Sequence, residues 1–424
     1  MEKIGEHSRR LRCSLCRSEY LELVLSLGNT PIANEYGRTS DSDQVDEVFP
    51  LDVILCSDCG HAQLDIIVDS ERLFPPGYAY ATGTSPLTVG HLANQWCEVQ
   101  ALYESRTGLA LDEKSFVVEI GSNDGTLLKM LLASNVGKVL GVEPATRLCN
   151  QAQQEGVECL NKPFTGALGK VIRDQYEAAD IVVANNVFAH VDDVLDMAEG
   201  VKDLLTDGGL FVFEVSYLMD MKNGLFDTIY HEHKSYHAVY PLARMLDKLG
   251  MPIISARTLE SQLGRGSLRI VARKQPGRSI DSPEARALMM AEAASFAWSK
   301  TFFTRMAETI RGNIEAVNMW IGGLQASGER VCGYGAAAKT TTFMSVMKLG
   351  KGEIDYIVDD SDRKYGLLMP GTRIPIYHPN ILKRAGGTCA IFAWNFADSI
   401  IARNSEFKGT WLKLLPGLTE IKGG

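Results

Sequence analysis

Phe116-Val117-Val118-Glu119-Ile120-Gly121-Ser122-Asn123-Asp124-Gly125 decides the fold. A short, mostly apolar run reads as a strand, Gly121 and Gly125 frame a turn, and a helical pattern starts near Thr126. The same rhythm recurs downstream. Lys138-Val139-Leu140-Gly141-Val142 ends at Glu143, and Ile181-Val182-Val183-Ala184 and Leu210-Phe211-Val212-Phe213-Glu214 follow. Helical patterns separate these runs, so the central chain reads as a doubly wound α/β sheet with helices on both faces. Another helical pattern precedes it, from about Leu87 to Thr107.

The first turn carries unusual chemistry. A dinucleotide fingerprint reads G-x-G-x-x-G and reserves a helix N-terminus for pyrophosphate. Here Glu119 precedes the first glycine and Asp124 lies inside the turn, and both would repel pyrophosphate. They suit a cationic ligand such as S-adenosylmethionine (SAM), whose amino acid end carries an ammonium and whose sulfur is a sulfonium. Glu143, after the second strand, stands where an acid accepts the two hydroxyls of a ribose. The plain alternative is a structural turn.

The flanks differ in character. Residues 1–75 hold Cys13-x-x-Cys16 and Cys56-x-x-Cys59, separated by 39 residues. Two intervening residues let both sulfurs of a pair reach one metal, and two pairs complete a tetrahedral Zn²⁺ site. With all four positions filled by thiolate, such a zinc is structural. A redox pair, an iron–sulfur site or unliganded thiols are the other readings. The remaining five of the nine cysteines, Cys97, Cys149, Cys159, Cys332 and Cys389, stand alone and read as packed apolar residues.

Lys274 to Arg278 looks like a linker, Glu284 to about Ser327 is mostly helical, and a second α/β unit starts at Arg330. Its Gly333-Tyr334-Gly335 turn follows a strand, with Lys339 beyond it and Asp359-Asp360 after the next strand. This turn admits three readings: a nucleotide-sugar diphosphate neutralised by Lys339, a dinucleotide, or a structural turn. Between the two α/β units lies Ile229-Tyr230-His231-Glu232-His233, with Tyr236 and His237 close behind. The two-residue histidine spacing is not the H-E-x-x-H of a zinc protease. A histidine general base oriented by a nearby carboxylate is the functional reading, and a solvated polar loop the bland one.

Taken together, the chain resembles the SAM-dependent sugar C-methyltransferases, which act on nucleotide-linked 4-keto deoxyhexoses. The resemblance spans nearly the whole sequence. It rests on the cysteine pairs, Leu27-Gly28-Asn29-Thr30-Pro31-Ile32-Ala33-Asn34, Tyr78-x-Tyr80, Glu119 to Gly125, Asn185-Asn186-Val187-Phe188-Ala189-His190, Tyr230 to His233, and Gly333 to Lys339. It implies an N-terminal zinc domain over 1–75, a Rossmann-like SAM methyltransferase domain over 76–275, and a C-terminal Rossmann-like α/β domain over 276–424 that helps hold the nucleotide-sugar. Gly121, Asn123, Gly125, Glu143 and Asn186 would bind SAM, beside Glu119 and Asp124. His233 would be the base, tuned by Tyr230 and Glu232, with Tyr78 or Tyr80 and His190 lining the sugar. Asn34, Gly335 and Lys339 would contact the nucleotide-sugar. The family's His-Gly-Gly-Ser-Leu-Arg segment reads Gly264-Arg265-Gly266-Ser267-Leu268-Arg269 here. Lys234 and His237 stand where the family often has apolar or aromatic residues.

Composition narrows the rest. A chain of 424 residues suggests about three domains. With 45% hydrophobic and 22% charged residues it is an ordinary globular composition, and the net charge of −9 is poorly suited to general nucleic-acid binding. No apolar run approaches the ~18 residues of a membrane helix, and the N-terminus lacks a signal-like apolar stretch. The expectation is a cytoplasmic monomer or weak homo-oligomer with no membrane or nucleic-acid partner. Rival readings are an NAD-dependent nucleotide-sugar oxidoreductase, a non-enzymatic zinc module, and an N- or O-methyltransferase of the same fold.

Overall fold

The computed structural model describes every residue except 5–6, 39, 41–43, 74–80, 135, 261–265, 276–281 and 423–424. The expected Tyr78 and Tyr80, most of the 274–278 linker, and Gly264 and Arg265 therefore lie outside the described residues.

The strand-turn-helix reading of Phe116–Ile120 holds. It is the third strand, an interior one, of a seven-stranded sheet. Lys138–Val142 and Cys159–Leu160 lie on one side of it. Ala179–Asn185, Leu205–Ser216, Gly266–Arg273 and Ile253–Glu260 lie on the other. The first five pair in parallel, whereas Gly266–Arg273 runs antiparallel to both its neighbours. Successive side chains point to opposite faces, so each strand feeds two cores. Val118, Ile120, Val182, Ala184, Phe211 and Phe213 join one cluster, and Val117, Ile181, Val183, Leu210 and Val212 the other. Burial on both faces explains why these strands read as unbroken apolar runs. Fully burying residues such as Phe211 and Phe213 contributes ~1.5–3 kcal/mol each. The helix Pro86–Thr107 covers the second face. Ser85 caps its start by accepting from the Thr88 amide, and Gly108, at φ 72°, ends it in the left-handed conformation.

The N-terminal part is a β structure. Leu21–Pro31, Val48–Cys56 and Ala62–Leu64 form an antiparallel sheet. Its fourth strand is Ser235–Tyr236, which arrives from the central part of the chain and pairs with Ala62 and Gln63. The C-terminal part is a six-stranded sheet centred on Val331–Tyr334 and Thr388–Ile391, parallel except for its last pair. A two-stranded ladder ties Gly37–Arg38 to Leu367–Leu368. One apolar cluster runs through all three parts, so the interfaces are core rather than loose contact. The helical stretch after 283 is two helices, Pro283–Ala294 and Lys300–Ala326, broken where Phe296 adopts φ 57°.

Among the lone cysteines one expectation fails. Cys97 is exposed, because its position on Pro86–Thr107 faces solvent, while Cys149, Cys159, Cys332 and Cys389 are buried. No described helix is long and apolar enough to cross a membrane.

Candidate functional site

The four paired cysteines converge. Their sulfurs all lie within 4.8 Å of one another, with Cys13–Cys59 at 3.7 Å and Cys16–Cys56 at 3.6 Å. A tetrahedron with Zn–S bonds of about 2.3 Å has sulfur–sulfur edges of about 3.8 Å, so the donors fit zinc. Each pair sits on a tight turn. Arg17 donates its amide to the Cys13 carbonyl and Gly60 to that of Cys56, and both adopt positive φ, 69° and 78°. Four thiolates saturate the ion, leaving it a structural role.

A second group gathers at the carboxyl ends of the central strands, where open α/β sheets bind ligands. Glu119 is the penultimate residue of Phe116–Ile120, Glu143 follows Lys138–Val142, and Asn186 follows Ala179–Asn185. The turn between them needs positive φ at Gly121, Asn123, Gly125 and Asn186. A Cβ on Gly121 would also lie 2.3 Å from Val187. Glu143 accepts from the amides of Asn123 and Ala145, and each of its oxygens keeps a second lone pair. Asp124 accepts from Thr126 and from the Gly83 amide, and Asn123 accepts from the Thr82 amide.

Glu119 differs from these. It is 5% exposed, and its Oε2 has no hydrogen-bond partner among the described residues. Burial, followed by the charges of Glu143 and Asp124, raises its carboxyl well above the usual range. Three buried acids around an orphaned oxygen make a site suited to a cationic ligand. Behind Asn186, Glu214 pairs with Arg269 at 2.5 Å and bonds His91 at 2.8 Å.

A third group surrounds the histidine cluster. The backbone turns at His231 and Glu232, so the alternation of a strand does not apply. His233 Nδ1 lies 2.8 Å from the Thr228 carbonyl, which can only accept, so Nδ1 carries the proton. Nε2 is left as the acceptor, and the Tyr230 hydroxyl donates to it at 2.8 Å. The His190 ring meets the His233 ring edge-on, with centroids 5.0 Å apart. Burial first, then the charge of Lys234, pulls His190 down to about 4, so it is neutral near pH 7. Glu232 is 3% exposed and accepts from Asn34 at 2.5 Å. Burial lifts it to about 7 against the pull of Asn34 and Lys234. Lys234 is fully buried and bridges Ser70, at 2.9 Å, to Asp192, at 2.5 Å.

His233, Tyr230, Glu232, His190 and Asn34 are thus brought together, and His190 follows Asn186 by only four residues. Lys339 is at the start of the helix Ala338–Met347. It is buried, bonds Asn395, and lies 4.7 Å from the centroid of the Trp394 ring. In the second glycine-rich turn, Gly335 has φ 100° and packs on Ala393. Asp359 accepts from the Ala336 amide at 2.7 Å, from the Ser361 amide at 2.9 Å and from Lys364 at 3.3 Å. The acid that would read a dinucleotide ribose is engaged within the turn. Sequence reasoning did not find Asp192, Glu214, Asp227 or Trp394, because their partners lie far away in the chain.

Comparison with known proteins agrees with this arrangement. Residues 13–74 match a zinc binding domain family, residues 118–211 match "Methyltransferase domain", and residues 263–416 match "C-methyltransferase C-terminal domain". The protein is a SAM-dependent C-methyltransferase, and the chain belongs to that family. It is similar to the C-methyltransferase NovU of Streptomyces niveus, at 32% identity over 404 residues, covering 93% of this chain and 92% of that one. Among solved structures, magnesium protoporphyrin IX methyltransferase from Synechocystis PCC 6803 is 15% identical with a TM-score of 0.33. That match covers 48% of this chain and 89% of the other. The plantazolicin methyltransferase BpumL is 11% identical with a TM-score of 0.37, covering 45% and 86%.

Proposed function

We propose that the protein methylates C3 of a nucleotide-linked 4-keto-6-deoxy (or dideoxy) sugar. The observation that carries this reading is the Tyr230–His233 pair. It presents an unprotonated Nε2 in a buried cluster, close in sequence and space to the carboxyl end of the strand that leads to Asn186. The family resemblance supplies the substrate class. A proton on C3 is acidified by the adjacent C4 ketone, so a positioned base can remove it. As substrate enters, Tyr230 turns its hydroxyl hydrogen away and frees the single Nε2 lone pair; Nε2 of His233 takes the C3 proton, and the Thr228 carbonyl stabilises the resulting imidazolium through Nδ1. Tyr230 holds the ring and accepts from Nε2 once it is protonated. Neutral His190 and the Glu232–Asn34 pair line the sugar side, joined by a tyrosine at Tyr78 or Tyr80.

Glu119, Gly121, Asn123, Asp124, Gly125, Glu143 and Asn186 would hold SAM, the acids suiting its cationic groups. When bound, SAM supplies an electrophilic methyl group, which the C3 carbanion takes with release of S-adenosylhomocysteine. Lys339, with Gly335, contacts the nucleotide diphosphate end, and Asn34 contacts the nucleotide-sugar beside Glu232. Residues 1–75, 76–275 and 276–424 then act as zinc-stapled cap, cofactor domain and nucleotide-holding domain.

Mass spectrometry of the protein with SAM and a panel of nucleotide 4-keto sugars tests the reading. A gain of one methyl on one member is expected. No gain on any member, with SAM bound, would overturn the substrate class. Retention of the C3 proton in a methylated product would overturn the enolate route.

A further inference from the structure

The segment that orients the proposed base is held by the C-terminal domain. Phe226–Thr228 is a short 3₁₀ turn just before Tyr230. Phe226, Asp227 and the following Ile229 each have an anchor there. Phe226 stacks on Phe343, with centroids 5.9 Å apart and planes at 13°. Asp227 is 1% exposed and accepts from the Trp394 indole N–H at 2.7 Å. The Ile229 carbonyl accepts from the Thr342 hydroxyl at 2.9 Å. The carbonyl of Thr228, between them, is the one that binds His233 Nδ1 at 2.8 Å.

Phe343, Thr342 and Trp394 all come from the elements flanking the second glycine-rich turn. Trp394 follows the strand Thr388–Ile391, and its face carries Lys339 at 4.7 Å. Its sequence neighbour Asn395 bonds the same lysine. The proposed diphosphate contact and the anchor of the base segment therefore meet on one indole. The other oxygen of Asp227, Oδ1, is buried with no partner among the described residues, so the indole N–H is this carboxylate's main support.

We propose that Trp394 and Asp227 are positioning residues. Their hydrogen bond fixes Phe226–Ile229 so that the Thr228 carbonyl holds Nδ1 of His233 and keeps Nε2 the unprotonated nitrogen, while the same indole carries the lysine proposed to meet the nucleotide end. This deepens the proposed function and rests on His233 as its base. Small displacements of a reacting group are costly, up to about 10²-fold for an ångström, so the effect belongs in kcat rather than in binding.

Two kinds of measurement test it. The first is kinetic, on the nucleotide-sugar found to be methylated. W394F keeps the ring over Lys339 and loses only the N–H. D227N keeps an oxygen acceptor, and D227L removes it. W394F alone strands a buried carboxylate, so D227L/W394F, which removes both polar partners, guards against misfolding. In W394F, D227L and D227L/W394F, kcat should fall roughly tenfold, with KM for SAM and nucleotide-sugar within about twofold. The double variant should be no worse than the single ones, and D227N should stay within about threefold of the parent. Unchanged kcat in folded D227L/W394F, additive losses, or a D227N as impaired as D227L would each overturn the proposal.

The second measurement needs no substrate. ¹⁵N shifts of the His233 imidazole near pH 8 should show Nδ1 protonated in the parent and a tautomer mixture in D227L/W394F. An unchanged tautomer would overturn the positioning role. Failure to methylate any nucleotide-sugar, with the tautomer shift present, would instead overturn the proposed substrate and leave the positioning role standing.

Discussion

The two glycine-rich turns answer the same sequence rhythm in opposite ways. The turns at Gly121 to Gly125 and at Gly335 each follow an interior strand of a mostly parallel sheet, the second strand including Gly333 itself, and each leads into a helix. At the first, Glu119, Asp124 and Glu143 crowd together, and an oxygen of Glu119 finds no partner among the described residues. At the second, Asp359 binds Ala336, Ser361 and Lys364, and Tyr36 reaches across to the Ala336 carbonyl at 2.6 Å. The first turn is electrostatically incomplete and the second is closed upon itself. Backbone topology alone does not tell the two turns apart; unbalanced buried charge does.

The strongest test lies between the turns. His233→Ala should lower turnover on the order of 10³-fold while leaving SAM affinity intact, as expected for loss of a general base. Substantial retained turnover would remove His233 from that role. Next is the contrast itself. Glu119→Gln should weaken SAM binding by calorimetry roughly tenfold to a hundredfold, the worth of a buried charge-assisted hydrogen bond. Asp359→Asn should leave SAM affinity unchanged and cost only about 1 kcal/mol of stability, from one weakened acceptor. If both substitutions acted alike on SAM, the distinction between the turns would collapse. Lys339→Met should raise KM for the nucleotide-sugar roughly tenfold with little change toward SAM, the loss of one phosphate contact. An equal loss for SAM would place Lys339 in the wrong site.

How much of this was readable follows from distance along the chain. Local periodicity carried the strand-turn-helix units, and two-residue spacing carried the zinc ligands, because each signal lies within a few residues. The acids proposed to meet the cofactor were legible for the same reason: Glu119, Asp124 and Glu143 sit at fixed offsets from their strands. The support behind the histidine loop was not. Lys234 looked like a departure from the family, yet it is fully buried because Asp192 and Ser70, far away in sequence, meet its ammonium. Asp227 and Trp394 are 167 residues apart, and no pattern links them. The pairing of Ser235–Tyr236 with the zinc domain's sheet is equally long-range. Cys97 shows the reverse error: a lone cysteine was read as core, and the helix turns it to solvent.

The smallest effect concerns protonation, and it bears on two buried acids, Glu232 and Glu119. Glu232 is pushed up to about 7, chiefly by burial, against the pull of Asn34 and Lys234. Between its unfolded value near 4.5 and that folded value, the native state binds more protons than the unfolded one. Stability from this group is therefore full below about 4.5, declines as pH rises, and levels off above about 7. His190, pulled down to about 4, has the opposite sign: the unfolded state holds more protons, so stability rises with pH up to its unfolded value. Only a difference separates the two. The melting temperature of Glu232→Gln relative to the parent should climb by a few degrees from pH 5 to pH 8, since the amide never ionises. A constant difference would mean that Glu232 titrates normally. Glu119, also raised, should behave likewise without ligand, but SAM should flatten its share of the slope by giving its charge a partner. That SAM-dependent change should vanish in Glu119→Gln and persist in Asp359→Asn, which separates the open turn from the closed one by protons alone.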